Sequence, residues 1–332
     1  GRSGKISVLK VAIIGLNVSI SHLLSDKGGS MPAASNDNGR SLEFLIVRSL
    51  SNRHGSSLTQ RASTDQARDQ NTIQRVNPGL GRSLREAAEL VADWVTDSEV
   101  SESGTMFEID RHSDSDLGVA DLSIKHRSGT LALSIKHNHD ALSHPRPYSL
   151  VQWLGFRKGS NLDLDHRRRM QLVSNIFRQA AGGAQLFSEV PDQKWSLFKA
   201  VCAESVSTLQ TAIEEDGAAS LFNHLVGHGF KKVIVRTDRA LQALTSIEVV
   251  DYSGIEAPAA LTPSVDVKQG SISLDIEFDN GWKIDMRIHN ASSRISDSGQ
   301  LSLKFDAQRE FGPKLPTTRL FPRPTILSTP DA

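Results

Sequence analysis

The chain has 332 residues, 38% hydrophobic and 23% charged, which suits one large folded domain or two modest ones with a core of several dozen side chains. Lys+Arg and Asp+Glu are equal at 38 each, so net charge points to no nucleic-acid partner, although DNA binding needs only a local basic surface. The one cysteine, Cys202, excludes an internal disulfide and a cysteine-based zinc site, and it fits a reducing, cytoplasmic setting.

The first apolar run, "KISVLKVAIIGLNVSI", resembles a signal peptide but is broken by Asn17 and Ser19 and has no small-x-small cleavage site. It is also short of the roughly 20 residues that span a bilayer. A strand or an upstream extension is the expectation. Residues 26–40 are small and polar and read as a linker. In "SLEFLIVRSL" the residues Leu42, Leu45, Ile46 and Leu50 form one helical stripe. Residues 51–82 are almost wholly polar, which inside a domain marks a mobile or functional stretch. A helix is predicted to start at Ser83, with Ser83 and Glu86 as a capping box and Leu84, Ala87, Ala88, Val91 and Val95 at helical spacing.

"GVADLSIKHRSGTLALSIKH" alternates like two strands joined around Arg127-Ser128-Gly129. Two helices are predicted further on, Lys194 to Ile213 and Ala218 to Val226, the second stopping near Gly227 and Gly229. "KKVIVRT" reads as a strand, and "SISLDIEFDNGWKIDMRIH" as a hairpin turning at Asn280-Gly281. The "HRRRM" run, His166 to Met170, suits either a solvated helix face or a phosphate contact. Trp153, Trp195 and Trp282 sit beside apolar positions and are expected in the core. This mixture of elements predicts a mixed α/β (α+β) fold.

Side chains alternate along a strand, so Ser134 and Lys136 share a face, and Asp121 can join them across the hairpin. An acid, a dozen residues and then x-I-K resembles the PD-(D/E)XK nuclease core, in which acids hold Mg²⁺ and a lysine attends the attacking water. The pattern equally describes a surface hairpin with alternating polar residues. Ser134 stands where the second acid of the motif belongs, so an acid is expected from elsewhere. Glu43 on the first long helix is the first choice, with Glu108 and Asp140 in reserve. The nearby His137, Asn138, His139 and His144 invite a zinc reading, but no cysteine and no helical H-x-x-x-H pair accompanies them. Solvated imidazoles, or contacts to phosphate and base that include Arg146, are the other readings.

Two longer blocks, "LSIKHNHDALSHPRP" and "FDNGWKIDMRIHNASSRI" with the following "LSLKFDAQREFGP", resemble the HaeIII family of type II restriction endonucleases. Fainter similarity lies in "GRSLEFLIVRSL" and "HLVGHGFKKVIV", so the resemblance runs from Gly39 to Pro313. It implies a PD-(D/E)XK restriction-endonuclease-like core with a mixed central sheet flanked by helices. It further implies Mg²⁺-dependent cleavage of double-stranded DNA at GGCC and a methyltransferase that protects the same site. Carried over, Asp121 is a metal ligand, Lys136 the catalytic lysine and Ser134 the occupant of the acid slot; the metal is expected on Asp121, the carbonyl of Ile135 and Glu43. "DLGVAD" stands where the family more often has an acid and an arginine around that aspartate, which leaves Asp116 and the local basic contact unassigned; with Ser134 in the acid slot, it keeps a DNA-binding protein that has lost cleavage open as the alternative.

For base reading, Arg287 and Lys304 suit guanine, while His289 and Asn290 suit backbone contacts. Arg287 shares its face with Asp285 and Glu277, and surface ion pairing is the competing expectation. The organisation expected is an extension or linker over 1–38, a nuclease core over 39–190, and a DNA-contacting helical and hairpin-rich part over 191–332. A palindromic target favours a homodimer.

Overall fold

The computed structural model describes residues 32–54, 56–100, 106–112, 119–140, 142–143, 145–212, 217–238 and 240–322. The signal-like run, Asp116 and His144 lie outside these residues. Helix α1 spans Pro32–His54, α2 Gln60–Asp69, α3 Thr72–Arg75 and α4 Pro78–Trp94, followed by one π-helical turn at Val95–Glu99. After three short strands and one long one, β1 Ser57–Leu58, β2 Glu108–Arg111, β3 Leu122–His126 and β4 Gly129–His137, come α5 Leu150–Trp153, α6 Asn161–Ala181, α7 Pro191–Ala212 and α8 Gly217–Leu225. The remaining strands are β5 Lys231–Thr237, β6 Leu244–Asp251, β7 Leu261–Lys268, β8 Ser271–Phe278, β9 Lys283–Asn290, β10 Leu303–Phe311 and β11 Thr317–Phe321.

They form a seven-stranded mixed sheet in the order β1-β2-β3-β4-β5-β6-β11 and a four-stranded antiparallel sheet in the order β10-β9-β8-β7. This is the mixed α/β arrangement expected of a restriction-endonuclease fold. One core lies between the larger sheet and α1 and α4, where Leu42, Ile46, Val91, Ile109, Leu122 and Val233 are all fully buried. The other lies against the smaller sheet and includes Val201, Phe222, Leu274, Met286 and Phe305. Among the described residues no helix is long and apolar enough to cross a membrane.

The β3–β4 hairpin forms as its alternation predicts: Leu122 faces Leu133 and His126 faces Gly129, leaving Arg127 and Ser128 as the turn. β4 then pairs in parallel with β5. A parallel neighbour requires a crossover, and α5 to α8 all lie in it. The β8–β9 hairpin also forms, but through Asp279, Asn280 and Gly281: the Phe278 amide donates to the Trp282 carbonyl at 2.7 Å. Only Gly281 of these has a positive φ, 84°, so the turn is the three-residue kind that ends in a left-handed glycine.

Two local expectations are corrected. The linker reading gives way to helix from Pro32, and the Ser83 start gives way to Pro78, whose fixed φ suits the first helical turn, with Asn77 accepting from the Gly79 amide at 2.9 Å. Ser83 is instead buried mid-helix and donates to the Gln242 carbonyl at 2.6 Å. The polar stretch 51–82 is mostly helical, supplying α2, α3 and the start of α4. The "HRRRM" arginines lie on α6 and are paired: Arg167 with Asp163 at 2.9 Å, Arg168 and Arg169 with Asp165, and Arg169 with Glu204 at 3.0 Å. Trp153 and Trp282 are buried, and Trp195 packs at the edge of the same core.

Gly227 follows α8 at φ 76°, and a Cβ there would overlap Val119, two residues before Asp121. Gly229 has φ 72° but open space around it. Gly227→Ala is therefore expected to cost about 2–4 kcal/mol, left-handed strain plus overpacking. Gly229→Ala should cost only about 1–2 kcal/mol. Urea unfolding of the two variants checks this, and equal costs would mean that the Val119 contact yields freely.

Candidate active site

β4 outruns β3. The Asp121 amide still donates to the Leu133 carbonyl at 2.8 Å, but beyond that point β3 offers Ile135 no partner. The Asp121 carboxylate fills the gap: its Oδ2 accepts from the Ile135 amide at 2.6 Å, the Ser134 hydroxyl at 3.2 Å and Lys136 Nζ at 3.3 Å. A strand residue sends its N–H and C=O to the same edge, so the Ile135 carbonyl faces this notch as well.

Glu43 reaches the notch from α1. Its Oε2 accepts from Arg111 Nη2 at 2.7 Å, and Arg111 Nη1 meets Asp69 Oδ2 at 3.0 Å and Gln66 Oε1 at 3.2 Å. Burial is the largest influence on Glu43 and the charge of Asp121 the next; together they outweigh Arg111 and Lys136 and push its carboxyl up to about 7. Burial would also raise Asp69, but hydrogen bonds and charge from Arg68 and Arg111 hold it below its usual value. Two carboxylates and a lysine thus converge where a strand edge is open. Oxygen donors of this kind suit a hard divalent cation.

The reserve acids lie elsewhere. Glu108 is exposed on β2 opposite Lys125, and Asp140 pairs with Lys232 at 3.2 Å. Among the described residues no group of three or more His, Cys, Asp or Glu could hold a metal, so the histidines form no zinc cage there. His137 is buried, with Nε2 2.9 Å from the Thr237 hydroxyl. Asn138, at φ 60°, accepts from the Thr237 amide at 2.7 Å and donates to its hydroxyl at 3.1 Å. Both tie the end of β4 to the end of β5. His139 and Arg146 are exposed, and Leu142 and Pro145 bond to β10, Leu142 donating to the Ala307 carbonyl at 3.2 Å and Phe305 to that of Pro145 at 2.7 Å.

On the outer face of the smaller sheet, Arg287 pairs with Asp306 at 3.3 Å and His289 stands opposite Lys304. Burial and then the Lys304 charge lower the His289 pKa. Asn290 donates to the Ser292 carbonyl at 2.7 Å. A cleft of about 300 Å³ here is lined by Asp285, Asp306 and Glu310 as well as Arg287 and Arg309. Its charge is mixed, and the ion-pairing expectation for Arg287 describes what is seen.

Sequence reasoning missed Arg111, Asp69 and Lys232. A signal existed for Arg111: in "EIDR" it shares the strand face of Ile109, a cation placed at an apolar position.

In the metal-free fold Glu43 keeps its proton up to about pH 7, whereas its usual value is 4.5. Within that window the folded state binds more protons than the unfolded one, so stability falls as pH rises. The melting temperature of metal-free protein is expected to decline between pH 4.5 and about 7, and Glu43→Gln to flatten that decline. Parallel curves for the two proteins would show that Glu43 is ionised throughout.

No curated protein and no solved structure is a match for the chain. A family model, the HaeIII restriction endonuclease, matches residues 39–310, most of its length. The chain belongs to the HaeIII restriction endonuclease family and is a site-specific deoxyribonuclease of the type II kind.

Proposed function

We propose that this DNA-binding endonuclease hydrolyses both strands of a short palindrome, GGCC, in a Mg²⁺-dependent reaction that leaves 5′-phosphate and 3′-hydroxyl ends. One observation carries the reading: Asp121 gathers Ser134, Ile135 and Lys136 on one carboxylate oxygen, with Glu43 close enough for the Asp121 charge to raise it. Asp121, Glu43 and the Ile135 carbonyl would hold the cation. The chemistry it supplies when bound is polarisation of the phosphoryl oxygen and acidification of the attacking water.

Lys136 orients that water and stabilises charge developing on the phosphate. Ser134 holds Asp121 in place and brings no charge of its own, so Glu43 supplies the second carboxylate from a different element. Water adds to phosphorus, the bond to the 3′ oxygen breaks, and that oxygen leaves with a proton. Lys136 is the group placed beside the attacking water, whose proton passes to solvent.

His139 and Arg146 are assigned to the phosphates beside the cut, and Lys304, His289, Asn290 and Arg287 to the duplex further along. His137 and Asn138 are assigned to fixing the β4 end against Thr237. A homodimer would match the two-fold symmetry of the target, and a cytoplasmic methyltransferase of the same specificity would protect the host.

The test is digestion of a mapped plasmid with and without Mg²⁺. Discrete fragments ending within GGCC are expected, and ends at another sequence would refute the specificity. Lys136→Ala should lower cleavage by roughly 10²–10⁴-fold while leaving DNA affinity nearly unchanged. Normal cutting by that variant would move the site elsewhere.

A further inference from the structure

Arg111 closes β2 on the face that α1 covers, and its guanidinium is carried into the core at 2% exposure. A buried cation is tolerable only when hydrogen-bonded and paired. Arg111 has Asp69 and Gln66 from α2 on one side and Glu43 from α1 on the other. Asp69, at 1% exposure, already has a cation of its own: Arg68 donates to it from Nε at 2.8 Å and Nη2 at 3.0 Å. Arg111 is thus the second arginine on one carboxylate. The carboxylate it serves in addition is Glu43.

We propose that Arg111, backed by Asp69 and Gln66, is a positioning residue that holds the Glu43 carboxylate against Asp121 in the geometry that receives the divalent cation. The planar fork of a guanidinium can bridge groups from two elements and fix the distance between them, which an ammonium cannot do. Two neighbouring carboxylates repel, and Glu43, on a helix across the notch, would otherwise turn away from Asp121. The polar segment 51–82 gains a purpose from this: it builds the α2 layer that anchors the arginine. The inference rests on the reading of Glu43 as a metal ligand.

The experiment measures Mn²⁺ binding to the DNA-free full chain by calorimetry, together with the Mg²⁺ concentration for half-maximal cleavage. Arg111→Lys, Asp69→Asn, Glu43→Gln and the Arg111→Lys/Glu43→Gln pair are compared with the wild type, with melting curves confirming the fold. Arg111→Lys is expected to weaken Mn²⁺ binding about 10–100-fold and to raise the Mg²⁺ requirement. The pair should bind no more weakly than Glu43→Gln alone, because Arg111 acts through Glu43. Should Arg111→Lys fail to fold, Asp69→Asn, which keeps the side-chain shape, carries the same test. Wild-type Mn²⁺ affinity in a folded Arg111→Lys or Asp69→Asn protein, or losses that multiply in the pair, would overturn the positioning role while leaving Glu43 as a ligand. Unchanged binding in Glu43→Gln would overturn the ligand reading and the positioning role with it.

Discussion

A strand that runs on past its neighbour exposes a row of unpaired backbone groups, and the Asp121 carboxylate closing on the Ile135 amide is how this fold resolves that problem. The bond is 2.6 Å, and it fixes the acid at the strand edge with both Ser134 and Lys136 drawn to the same oxygen. Ser134 and Lys136 take their positions from that carboxylate, while Glu43 takes its own from Arg111. The Ile135 carbonyl faces the same edge, and Glu43 feels the negative charge as the second largest influence on its own proton.

The electrostatics of the notch are unbalanced by burial and by its side-chain charges. Asp121 and Glu43 crowd each other, Lys136 answers one and Arg111 the other, and Glu43 still holds its proton far above its usual 4.5. An isolated carboxyl in such surroundings is costly, and truncating one partner of a buried pair typically costs about 3–5 kcal/mol. The Glu43–Arg111–Asp69–Arg68 chain spreads that burden over α1, β2 and α2.

Much of the site was legible because its logic is local. Alternation with period two placed Asp121, Ser134 and Lys136 near one another, and the stripe through Leu42, Leu45, Ile46 and Leu50 put α1, with Glu43, against the sheet. The Ser83 start was misjudged because a plausible capping box competed with Pro78, and a proline at the first turn fixes the helix earlier. Asp69 could not be read from its neighbours: its burial follows from Arg68 and Arg111 converging on it, and Arg111 is distant in sequence. Lys232 was likewise hidden. It looks like a surface charge on "KKVIVRT", yet it is buried over the Tyr252 ring at 5.0 Å because β5 pairs with β4 through a long crossover.

The histidine-rich loop has a mechanical meaning. Asn138 is clasped to Thr237, and within a few residues Leu142 and Pro145 are laced to Ala307 and Phe305 on β10. The described residues that follow β4 are therefore tied to both sheets. Any residue added or removed between Asn138 and Leu142 must be absorbed at one of those two attachments, so length there matters more to the fold than the chemistry of the imidazoles.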